Sequence, residues 1–154
     1  MIGHLQRNKV KYIFDLFDMV HSVDNLSLAQ EIDKAGRKHE RAMDVLIQVN
    51  ISGEETKFGA EVADARHMIR EIASLSYVSV KGLMTIPPFF DDPEDSRPYF
   101  KRLRELRDEI GREGIEGISL KELSMGMSND FEVAVEEGAT MVRVGTAIFG
   151  PRRY

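Results

Sequence analysis

Apolar positions along this chain alternate between helical and strand spacing. Val10, Ile13, Phe14 and Phe17 recur at three- and four-residue intervals behind Asn8, which reads as a helix cap. Met19-Val20-His21-Ser22-Val23 follows as a short strand ending at Asp24-Asn25. Ser27 and Gln30 form a capping-box pattern ahead of a helix carrying Leu28, Ile32 and Ala35. Residues 44–51 are the clearest strand, and their nearly unbroken apolar run suits a strand covered on both faces. After a loop over 52–59, Val62, Ala65, Ile69, Ile72 and Ala73 mark an amphipathic helix. A strand over 78–86 ends at Pro87 and Pro88, which lack the N–H that a ladder needs. A polar loop over 91–96 precedes a long helix with Tyr99, Phe100, Leu103, Leu106 and Ile110 on one face. Gly114 and Gly117 loosen the chain before a strand into Leu123-Ser124-Met125, a helix over 131–137 closed by Gly138, and a last strand from Met141.

The pattern predicts helix and strand in five alternations, with a strand stub at Ile2. Such alternation argues for parallel βαβ units with right-handed crossovers. A closed eight-stranded barrel typically needs about 250 residues. At 154 residues this chain is too short, and its length suits one domain built on an open five- or six-stranded sheet.

Composition narrows the function classes. The formal net charge of -5 argues against non-specific nucleic-acid binding, which depends on neutralising phosphates. The local basic groups Arg7, Lys9, Lys11, Arg152 and Arg153 read as a solvated face. With no cysteine there is no disulfide, thiolate metal site or cysteine nucleophile, which fits a reducing compartment. No apolar run approaches the ~20 residues of a membrane helix, and no signal-peptide core opens the chain. A cytoplasmic protein that contacts neither membrane nor nucleic acid is expected. His4, His21, His39 and His67 show no metal-ligand spacing, and the carboxylates of Asp24, Glu54 and Asp130 read as caps and surface charge rather than a tuned acid–base pair.

The candidate chemistry lies in the last third. Two apolar runs there end in small residues bearing hydroxyls: Leu123-Ser124-Met125-Gly126-Met127-Ser128 and Met141-Val142-Arg143-Val144-Gly145-Thr146. Free backbone N–H groups in such loops, helped by Ser or Thr hydroxyls, suit a phosphate. Gly126 with Ser124 and Ser128 would form one jaw, and Gly145 with Thr146 the other. Arg143, two residues before Gly145, shares its face on strand spacing. Each loop alone also reads as an ordinary turn or as core packing. Two of them on consecutive strands of a βα-repeating chain make phosphate binding as good a reading as that ordinary one, by analogy with α/β barrels, which often grip phosphate with their last two strand loops.

Ile2-Gly3-His4-Leu5-Gln6-Arg7-Asn8-Lys9, Val45-Leu46-Ile47-Gln48-Val49-Asn50, Gly82-Leu83-Met84-Thr85-Ile86 and the two runs above, extended to Asp130 and Gly150, resemble the pyridoxal-phosphate homeostasis protein family. The resemblance runs from Ile2 to Arg152. It implies an α/β fold, a partial TIM-type (β/α) barrel like the N-terminal domain of alanine racemase. It implies pyridoxal 5′-phosphate (PLP) at the C-terminal ends of the strands, held by a non-catalytic protein that buffers and delivers it. Carried over by motif, Ser124, Gly126, Gly145 and Thr146 would lie at the phosphate and Arg143 at the pyridine nitrogen, while Met84 and Asn50 would face the ring. A permanent cation there keeps the ring nitrogen unprotonated and weakens the electron sink. His4 would line the mouth or sit on the surface.

By the same resemblance residues 1–154 form a single partial domain, beginning in the third barrel strand. The family's PLP lysine, on the first strand, would lie outside it. Lys57, Lys81 and Lys121 do not match its position, so phosphate binding without a Schiff base is expected. The strands at Ile2 and Met141 would present apolar edges, which a complementing N-terminal fragment or a second copy would cover. A PLP-independent phosphate-binding or scaffold role, and a PLP enzyme such as an amino-acid racemase, are the alternatives.

Overall fold

The computed structural model describes residues 1–54 and 56–151, so Arg152 and Arg153 lie outside the described residues. Its strands are β1 (Met19–Val23), β2 (Met43–Asn50), β3 (Ala60–Glu61), β4 (Val78–Met84), β5 (Glu122–Met127) and β6 (Met141–Arg143). Five run in the spatial order β1-β2-β4-β5-β6, every pair parallel, while β3 pairs only with β2. Because spatial order follows chain order, right-handed crossovers put the connecting helices on one face. These are α2 (Leu26–His39), α3 (Val62–Ala73), α4 (Arg97–Gly111) and α5 (Phe131–Glu136). The result is a parallel half-barrel: the alternation of spacings implied its parallel strands, and the family resemblance its partial-barrel form.

Strand periodicity divides the side chains between two faces. Val45, Ile47 and Val49 of β2, with Leu123 and Met125 of β5, join the core formed with Leu28 and Ile32 of α2, Ile69 and Ile72 of α3, and Phe100 and Leu103 of α4. Fully burying one such aliphatic side chain contributes about 1.5–3 kcal/mol. Leu46 and Met84 are equally buried but stand outside that core, on the opposite face. The ladder tightens where Gly82 passes β5. A Cβ at Gly82 would come within 1.9 Å of the Glu122 carbonyl oxygen, so only glycine permits this approach.

Several local expectations change. Residues behind Asn8 form a 3₁₀ segment, Arg7–Tyr12, with Gln6 at its cap and no capping side chain, and only Ile13–Leu16 (α1) is α-helical. Phe17 lies beyond that helix and is exposed. The cap of α2 is Asn25 rather than Ser27: Asn25 Oδ1 accepts the Leu28 N–H at 2.9 Å, and the Ser27 hydroxyl donates to the same oxygen at 2.7 Å. Asn25 is extended and three residues before Leu28, which is the geometry a cap requires. The polar loop over 91–96 contains a 3₁₀ turn, Pro93–Ser96. The final loop contains a one-turn helix, α6 (Thr146–Phe149). The stub at Ile2 is not a strand, yet its backbone lies along β1: the His21 N–H donates to the Met1 carbonyl at 2.9 Å, and the Met1 amino group donates to the Met19 carbonyl.

Candidate functional site

The parallel sheet brings the C-terminal ends of β1, β4, β5 and β6 to one rim, where a cavity of about 850 Å³ opens. Its walls include His21, Met84, Ile86, Ser128, Arg143 and Thr146, with Ile2 and Phe89 toward the mouth. The volume falls inside the roughly 300–1,000 Å³ usual for small-molecule sites.

Among the described residues Arg143 is the one charged side chain that lines the wall. It is half-buried, and two neighbours anchor it. Its Nη1 donates to the Ser124 hydroxyl at 2.8 Å, and its Nη2 donates to the Thr85 carbonyl at 2.8 Å. Burial pulls its pKa down to about 10, with Asp130 opposing, so it remains charged at neutral pH. Ser124 is fully buried and also contacts His21, Nδ1 to Oγ at 3.0 Å. Burial lowers the pKa of His21 to about 4, and the Met1 amino group and Arg143 push the same way. Its imidazole is therefore neutral at pH 7.

On the other wall, the turn after β6 closes on Ser128. The Gly145 and Ala147 N–H groups both donate to the Ser128 hydroxyl, at 3.1 and 3.2 Å. Two backbone donors thus converge on one oxygen. Gly126 stands behind this wall. Its φ of +90° is a region that side chains avoid, and a Cβ there would lie 2.5 Å from the Ala134 Cβ. Gly126 lets α5 pack against the end of β5, with Asp130 accepting the Met127 N–H at 2.7 Å and the Ser96 hydroxyl at 3.1 Å.

Of the residues singled out by sequence, Met84, Ser128, Arg143, Gly145 and Thr146 meet in this cavity. Ser124 lies beneath it as the anchor of Arg143, and Gly126 supports its wall. Asn50 is elsewhere. Its Oδ1 accepts the Ser52 hydroxyl at 3.0 Å and the Gly53 N–H at 3.1 Å, and its Nδ2 donates to the Glu54 carbonyl at 2.9 Å. It lines a separate cavity of about 510 Å³, as does Lys57. His4 stacks on Phe58 at 4.2 Å and pairs with Asp24 at 3.7 Å, taking the surface alternative. His21 was absent from the sequence-based site. The available signal was a polar residue inside an apolar strand, at its alternate, inward position.

These features define a half-barrel with a largely apolar, cation-bearing cavity at its strand ends, and comparison with known proteins assigns the class. The family model of the alanine racemase N-terminal domain matches residues 1–153. The pyridoxal phosphate homeostasis protein of Aquifex aeolicus is 54% identical over 153 residues, covering 99% of this chain and 66% of the relative. That of Synechocystis is 36% identical over 98% of this chain and 68% of its own length. The structure of PipY from Synechococcus elongatus with PLP bound superposes with a TM-score of 0.88 at 35% identity, covering 97% of this chain and 69% of PipY. The chain belongs to the alanine racemase N-terminal domain family and, within it, to the pyridoxal phosphate homeostasis proteins. It spans 64–66% of the length of relatives such as those of Escherichia coli and Aquifex aeolicus. No helix among the described residues is long and apolar enough to cross a membrane.

Proposed function

We propose that this chain binds PLP without performing chemistry on it, as part of a system that buffers and delivers the cofactor. One observation carries the reading: a doubly anchored guanidinium faces an apolar cavity whose other wall aims two backbone N–H groups at a single oxygen. That donor set fits the cofactor. A phosphate oxygen would take the place of the Ser128 hydroxyl at the Gly145 and Ala147 N–H groups, with Thr146 beside it. Met84 and Ile86 would cover the ring, and Arg143 would meet the ring nitrogen. When bound, PLP supplies an electron sink whose strength depends on protonation of that nitrogen. A guanidinium cannot donate its charge-neutralising proton at neutral pH, so Arg143 leaves the sink weak. Holding the cofactor without activating it suits a carrier.

No lysine is among the described residues that line the cavity. Lys81 pairs with Asp44 at 3.4 Å, and Lys57 belongs to the second cavity. Binding by this chain's residues is therefore non-covalent. The β1 and β6 edges pair with one strand each among the described residues, and a complementing βα segment or a second copy would satisfy their remaining backbone groups.

Calorimetric titration with PLP tests the reading. Saturable binding is expected, at least about tenfold tighter than inorganic phosphate because the ring adds contact area and the Arg143 bond. Borohydride treatment should leave no label on the chain. Absence of binding, or equal affinity for phosphate and PLP, would overturn the assignment.

A further inference from the structure

The Ser124 hydroxyl has two hydrogen-bond partners and is entirely buried between them. An arginine only donates, so the bond from Nη1 must end on an oxygen lone pair. The single hydroxyl proton then points to the other partner, His21 Nδ1, at 3.0 Å. Nδ1 must be bare to accept it, which places the imidazole proton on Nε2. An imidazolium would present a proton at both nitrogens. It would leave the buried hydroxyl proton without an acceptor and set a second cation across one oxygen from Arg143. The lowered basicity of His21, caused first by burial and then by the Met1 amino group and Arg143, points the same way. The three side chains come from β1, β5 and β6, and the order of donation along them is fixed from Arg143 to Ser124 to His21.

We propose that His21 is a positioning residue: its bare Nδ1 holds the Ser124 proton away from Arg143, and so keeps the guanidinium aimed into the cavity toward the ligand ring. Without that acceptor the hydroxyl can rotate its proton toward Nη1, turning an attraction into a repulsion. The Thr85 carbonyl alone would then hold the guanidinium, at one nitrogen, and a planar group held at one nitrogen swings. The ligand in this inference rests on the reading of the cavity as a PLP site, whereas the order of donation does not.

The test has one arm without ligand and one with it. In the free protein, nitrogen-15 NMR at about pH 6 should show His21 as the neutral tautomer protonated at Nε2, below its ordinary pKa yet uncharged. Resolved, slowly exchanging Arg143 Nη signals should accompany it. Finding His21 protonated at Nδ1 or doubly protonated would overturn the proposal, whatever the protein binds. His21→Leu removes the acceptor and should collapse the Arg143 signals. His21→Asn puts Oδ1 where Nδ1 was and should restore them. With PLP as the probe, His21→Leu should weaken binding about five- to tenfold, the size of one lost buried hydrogen bond, and His21→Asn should return it to within about twofold. Leu and Asn variants that bind equally would sink the proposal. Should the wild-type chain bind no PLP, the cofactor reading fails, and the NMR arm still decides the role of His21.

Discussion

At the C-terminal end of β2, Asn50 makes three hydrogen bonds to residues two, three and four positions ahead of it. Inside β5, Ser124 bonds residues 103 and 19 positions away, and the Arg143 it anchors reaches Thr85 across 58. Both are polar residues of apolar parallel strands, Asn50 at the last position of β2 and Ser124 at the third of six in β5. Asn50 closes its own loop. Ser124 couples three βα units to a shared cavity. On the PLP reading, a polar residue near the rim is not by that alone a ligand residue. What matters is whether the polar atoms are consumed locally, leaving nothing to face a guest, or are tied across the sheet to a charge the local chain cannot neutralise.

Substitutions at the two corners can break that contrast. The largest effect is expected for Gly126→Ala. It places a Cβ against Ala134 in a backbone conformation that alanine resists, at a cost of about 3 kcal/mol. Urea denaturation should show the loss, and an unchanged midpoint would mean that α5 does not press on the end of β5. Arg143→Met keeps the apolar stem and removes the charge. PLP affinity should fall about a hundredfold, equivalent to about 2.7 kcal/mol, measured by titration. A loss below threefold would equate this corner with that of β2. Asn50→Ala should do the reverse on a smaller scale. It should lower stability by about 1 kcal/mol through the opened 52–54 turn, with PLP affinity held within about twofold. A large loss of PLP affinity from Asn50→Ala would return this residue to the binding site and erase the distinction.

Much of the architecture is legible in linear order. The nearly unbroken apolar run at 44–51 marked one central strand, as a strand covered on both faces needs, and the segment before Pro87 and Pro88 marked another. Arg143, Gly145 and Thr146 were visible as a cation and a small-residue turn after a strand. Other features were silent. The two-residue β3 exists only because Ala60 and Glu61 fall beside Val49 and Asn50, and nothing in its own composition marks it. The cap at Asn25 lost to a Ser27–Gln30 pattern that fits the same rule two residues later, since a box motif does not say which residue turns extended. His21 looked like one polar residue in a short strand.

Periodicity and punctuation along the chain therefore settle which segments become strand or helix, since those choices depend on neighbours within one or two turns. They also settle that glycine and hydroxyl residues cluster after the last two strands. The curvature of the sheet decides which strand ends share a cavity. Hydrogen-bond satisfaction among residues more than a hundred positions apart decides which of their polar groups remain to meet a ligand. A proton on Ser124 has one direction to point only after β1, β5 and β6 have been laid side by side.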